Sequence, residues 1–94
     1  MAAIGLLELD LMIPDAHSLK EKRAVIRSIK DRVRNSYNVS LAEVAEQKKY
    51  QRSHLAVVAV ATDRKEVEKR FNGVQELVEI TPGAILLTRM VQWL

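Results

Sequence analysis

Ile4-Gly5-Leu6-Leu7-Glu8-Leu9-Asp10-Leu11-Met12-Ile13-Pro14-Asp15-Ala16-His17-Ser18-Leu19-Lys20-Glu21 carries a strand, a turn and a helix start in one stretch. Leu7, Leu9, Leu11 and Ile13 fall on one side of an extended chain, and Ile4, Leu6, Glu8, Asp10 and Met12 on the other. That period of two predicts a strand over residues 4–13. Pro14 ends it, and Asp15-Ala16-His17 turns the chain. Ser18 and Glu21 have the spacing of a capping box, with the Ser18 hydroxyl accepting from the Glu21 amide and the Glu21 carboxylate reaching back to the Ser18 amide. The period then becomes 3.6. Val25, Ile26, Ile29, Val33 and Tyr37 form the apolar stripe of a helix running to about Ser36, with Asn38 as its stop.

The same sequence of signals recurs further on. Val39 to about Glu46 reads as a weaker strand, with Val39, Leu41 and Glu43 on one face. Gln47–Ser53 is polar and basic, a loop or an exposed strand extension. His54–Thr62 is a nearly continuous apolar run, which predicts a central strand covered on both faces. Asp63 is placed to cap a second helix carrying Val67, Phe71, Val74, Leu77 and Val78; Gly73 inside it weakens it relative to alanine. Thr81-Pro82-Gly83 breaks that helix. Residues 84–93 alternate again, with Ile85, Leu87, Arg89, Val91 and Trp93 sharing a face. The order β-α-β-β-α-β, with right-handed crossovers, predicts a four-stranded antiparallel sheet under two helices, the ferredoxin-like sandwich, as one domain over residues 1–94.

Composition narrows the function. The chain has 94 residues with 48% apolar and 29% charged side chains, the make-up of a folded globule. It has no cysteine, which excludes thiol catalysis, thiolate metal sites and disulfides. Two histidines, no glycine-rich phosphate loop and no paired-histidine motif argue against a metal centre, a cofactor or catalysis. Glu8 and Asp10 project to the same side of the first strand and could hold a cation or share a proton; nothing else in the sequence completes such a site, so a hydrolase built on them is the weakest option. His17 and His54 read as surface or structural residues. The apolar runs are too short to span a bilayer, and Met1–Leu7 lacks the basic lead-in of a signal peptide. The expectation is a non-enzymatic cytoplasmic protein that spans no membrane.

Charge is concentrated in one element. Ser18–Arg34 holds seven basic and two acidic residues, so the rest of the chain sums to −2 and the whole to +3. Lys20, Arg23, Arg27, Lys30 and Arg34 form one helical stripe, with Lys22 and Arg32 beside it. Like charges at this spacing are mildly destabilising unless an anion neutralises them, and a polyphosphate would do so with release of counterions. The alternative is a solvated face with Glu21 and Asp31 as local partners. The loop adds Lys48, Lys49, Tyr50 and Arg52, cations interleaved with a ring, a pattern suited to unpaired bases. Its alternative is a polar hairpin with Tyr50 packed on the core edge. Helices cover only one sheet face, and the other still carries Ile4, Leu6 and Met12, which calls for a second copy of the chain or for a ligand or RNA. Glu8, Asp10, Glu43 and Arg89 are expected there.

His17-Ser18-Leu19-Lys20-Glu21-Lys22-Arg23, Tyr37-Asn38-Val39-Ser40-Leu41-Ala42-Glu43-Val44, Gln47, Gln51-Arg52 and the closing Gln92-Trp93-Leu94 resemble the YlxP-like family of small uncharacterised bacterial proteins along nearly the whole chain. The resemblance implies a ferredoxin-like fold and no established reaction. Its members' gene neighbourhoods imply a role beside RNA or the ribosome. Lys48 and Tyr50 depart from the Asp and Trp common in the family, which makes this loop more basic. The combined expectation is a homodimeric module that docks RNA or a ribonucleoprotein, the ribosome included, through Lys20, Lys22, Arg23, Arg27, Lys30, Arg34, Lys48, Lys49, Tyr50 and Arg52.

Overall fold

The alternation of residues 4–13 becomes strand β1 (Ala3–Met12) in a computed structural model that describes residues 1–94. It is followed by α1 (Leu19–Ser36), β2 (Ser40–Ala45), β3 (Arg52–Ala61), α2 (Arg64–Ile80) and β4 (Ile85–Trp93). The strands form one antiparallel sheet in the order β2-β3-β1-β4. This is the predicted β-α-β-β-α-β architecture, with the helices on one face.

The caps explain where the helices begin. The Ser18 hydroxyl accepts from the Glu21 amide at 3.1 Å, and the Asp63 carboxylate accepts from the Glu66 amide at 2.8 Å. The Glu21 carboxylate takes the His17 amide at 3.0 Å instead of the Ser18 amide. At its other end α1 is closed by Tyr37 in an extended conformation, and the only left-handed non-glycine residue is Glu46, so Asn38 is not the left-handed stop its type suggested.

The core lies between sheet and helices. Leu7, Leu9, Leu11, Leu55 and Val57 from the sheet meet Ile26, Ile29 and Val33 of α1 and Val67, Phe71, Val74 and Val78 of α2. Two glycines permit the close approach. A Cβ on Gly5 would sit 2.8 Å from Val67 Cγ1 and 2.9 Å from Phe71 Cε2. A Cβ on Gly73 would overlap the Tyr37 ring and hydroxyl, so this helical glycine is where the end of α1 packs on α2.

Three expectations are corrected. β3 is central but covered on one face only: Leu55 and Val57 are fully buried, while Val58 and Val60 are 39% and 54% exposed. A bulge between Asp10 and Leu11 in the β1–β4 ladder pairs Asp10 with Thr88 and Leu11 with Leu86, which shifts the phase of β4. Ile85 therefore shares the open face with its partner Met12, apart from Arg89, Val91 and Trp93. Arg89 and Glu43, expected on the open face, pair with the buried Leu9 and Leu55 and so lie on the helix side. No helix is long and apolar enough to cross a membrane.

Candidate nucleic-acid interface

Lys22, Ile26, Ile29 and Val33 are the buried residues of α1, so the opposite face is free to meet a partner. Arg23, Arg27, Lys30 and Arg34 line a groove of about 410 Å³ with Ile26, Asp31 and Glu43, the last from edge strand β2. Lys20 continues the stripe one turn earlier. From Lys20 to Arg34 it spans about 21 Å at the helical rise of about 1.5 Å per residue. None of these five cations forms an ion pair: the pairs within 4.0 Å involve Lys22, Lys49, His54 and Arg70. Neither Glu21 nor Asp31 neutralises the stripe.

Lys22 leaves the expected surface. Its side chain is 1% exposed, and its ammonium donates to the carbonyls of Glu46 at 2.7 Å, Gln47 at 3.4 Å and Arg52 at 3.1 Å. It pairs with Glu43 Oε2 at 3.0 Å, which also accepts the Ser53 hydroxyl at 2.6 Å. The reason is phase: Lys22 continues the Ile26–Ile29–Val33 stripe one turn back, so it points inward. Satisfied this way it cannot meet a phosphate, but it ties the β2–β3 loop to the first turns of α1 and joins the two basic segments.

The loop is pinned from a second side. Gln51 Nε2 donates to the carbonyls of Pro14 at 3.1 Å and Ala16 at 3.2 Å, and the Ile13 amide donates to the Gln51 carbonyl at 2.9 Å. Lys49 pairs with Glu46 at 2.9 Å, and that hydrogen bond holds the Glu46 carboxyl below its usual range. Lys48, Lys49, Tyr50, Gln51 and Arg52 surround a shallow hollow of about 360 Å³. Tyr50 is 49% exposed and stands apart from the core, unlike Tyr37.

A second cluster sits on the open sheet face. His54 on β3 lies between two carboxylates of β1, with Nδ1 2.6 Å from Asp10 Oδ1 and Nε2 3.0 Å from Glu8 Oε1. Thr88 of β4 donates to Asp10 Oδ2 at 3.0 Å. Both ring nitrogens facing carboxylates calls for the imidazolium, which donates twice. The hydrogen bond to Asp10, then that to Glu8, raises the His54 pKa above its ordinary 6.5. The His54 hydrogen bond in turn lowers Asp10 below 3.8. Treating His54 as a lone histidine missed this, because only the β1–β3 register sets it opposite Asp10. Around the cluster, Ile4, Val58, Val60, Ile85, Leu87 and Met90 leave apolar surface exposed.

Comparison with known proteins locates the chain. A family described as "Protein of unknown function (DUF503)" matches residues 4–90. The "Uncharacterized protein YlxP" of Bacillus subtilis (strain 168) is 37% identical over 90 residues, covering 96% of this chain and 98% of that protein. Among solved structures, a C-terminal segment of the alpha subunit of aIF2 from Pyrococcus abyssi superposes with a TM-score of 0.56 at 14% identity over 92% of this chain. This chain covers 49% of that one, about half its length. The de novo designed protein Foldit4 superposes with a TM-score of 0.56 at 11% identity, covering 100% of this chain and 97% of the design. At such identities the likeness is one of fold.

Proposed function

We propose that this chain, which belongs to the DUF503 family of proteins of unknown function, is a non-enzymatic cytoplasmic module that docks on RNA or a ribonucleoprotein, the ribosome included, through the exposed face of α1. The observation that carries this reading is the unpaired stripe Lys20, Arg23, Arg27, Lys30 and Arg34, four of whose members line one groove. A stripe neutralised within the chain would be a solvated face. An unpaired one gains free energy when phosphates displace their own counterions. Asp31 and Glu43 also line the groove, but Glu43 is already neutralised by Lys22, so the groove stays net positive. Such contacts give affinity and position without reading sequence, so selectivity comes from RNA shape.

The test is co-sedimentation with ribosomal particles, and anisotropy titration of labelled RNA, at rising salt. Binding at low salt, lost by about 0.5 M and lost on R23E/R27E reversal, is the expected result. A double mutant that folds and binds as tightly as the wild type removes α1 as the docking face.

The exposed apolar residues of the open sheet face support a second reading, a protein-interaction or small-ligand regulatory module acting as a homodimer. It is distinguished by a dimer in sedimentation equilibrium that persists at high salt, with no RNA retained.

A further inference from the structure

We infer that the β2–β3 loop makes this docking surface selective for unpaired RNA, with Tyr50 as the platform on which one base stacks; the inference rests on the RNA-docking reading of α1. Three observations carry it.

The first is what each loop side chain is already doing. Gln51 is spent on the Pro14 and Ala16 carbonyls and Lys49 on Glu46. Lys48, Tyr50 and Arg52 have no side-chain hydrogen bond or ion pair within the chain, and all three are exposed around the same hollow. A tyrosine ring left 49% exposed between cations does nothing for the core.

The second is rigidity. The loop backbone is held by the Lys22 ammonium at Glu46, Gln47 and Arg52, and by Ile13 at Gln51. Tyr50 therefore stands on a loop anchored on both sides of it, so less ordering free energy is lost when a base arrives.

The third is continuity. Arg23 of the α1 groove is next to Lys22 in sequence, and Lys22 bonds both Glu43 of that groove and Arg52 of the hollow. A backbone lying along Arg34, Lys30, Arg27 and Arg23 is thus led to the loop. A duplex buries its base faces in its own stack, and its deep major groove does not admit side chains. An unpaired strand offers a base to the ring and its phosphates to Lys48 and Arg52.

The experiment titrates a labelled single-stranded uridine-rich RNA of about 12 nucleotides, and an RNA duplex of the same length, with wild type, Y50F, Y50A and R23E/R27E. The single strand binds the wild type more tightly than the duplex. Y50A weakens the single strand about 5- to 20-fold, leaves the duplex unchanged and keeps the salt slope, because stacking releases no counterions. Y50F binds like the wild type, since the ring and not the hydroxyl does the stacking. R23E/R27E weakens both ligands and flattens the slope. Equal affinity for both RNAs with Y50A silent overturns the inference and leaves α1 docking standing. No binding of either RNA by the wild type removes the docking reading and the inference with it.

Discussion

A lysine ammonium withdrawn from water is tolerable only when its protons are met, and Lys22 gives them to three carbonyls and one carboxylate. Lys22→Met leaves Glu43 half-buried without its cation and takes one donor from each of three loop carbonyls, of which Glu46 keeps the Lys49 amide. Thermal melts should show a loss of about 3 kcal/mol, or roughly 12–24 °C in a domain of this size. Gly73→Ala drives a methyl into Tyr37 and should cost about 1–3 kcal/mol by urea denaturation, with part of the loss recovered in the G73A/Y37F double mutant. His54 sets a pH dependence. Its folded pKa lies above 6.5, so its contribution is complete below that value and fades as pH rises through the raised one. Asp10 works the other way: its contribution is complete above 3.8 and fades as pH falls through the lowered value. Urea midpoints should therefore drop between mildly acidic and alkaline pH, and His54→Gln should remove that drop. Lys22 was legible in principle, because positions 22, 26, 29 and 33 share one helical stripe; a count of charges carries no direction and hid it. His54 was not legible, since its partners lie 44 and 46 residues away and meet it only through strand register.

At the level of elements, local chemistry carried most of the information. Both caps form where Ser18 and Asp63 stand, and each element lies within a few residues of its predicted span. Ser18→Ala and Asp63→Ala should each cost about 1 kcal/mol, and the two losses should add, because the caps belong to different helices and share no partner. β4 is where alternation misled. A period of two assumes an unbroken ladder, and the bulge opposite Asp10 and Leu11 inserts a residue that no apolar pattern announces. The faces of Ile85 and of the residues after the bulge are consequently out of step with one another. β3 misled for another reason. Its unbroken apolar run mimics a strand buried on both sides, yet no helix covers Val58 or Val60. The composition of a strand reports how apolar its two faces are, and it does not report whether the chain itself supplies the cover.

For the whole molecule, the sheet order leaves β2 and β4 with one neighbour each, and α1 runs its cations past the free side of β2. If four groove cations each meet a phosphate, log–log plots of single-strand affinity against salt should have a slope of about −3. Reversing Arg23 and Arg27 should roughly halve it. The same placement has a consequence for how copies of the chain meet. A bare strand edge is a template on which another strand can grow. Two chains approaching by β2 would bring the cations of one groove toward those of the other, and like charges repel within the screening length of roughly 8 Å at physiological salt. The stripe thus fends off self-association at the edge it borders. A polyanion laid along it cancels that repulsion, so crowding on a shared strand is the circumstance in which neighbouring copies stand closest.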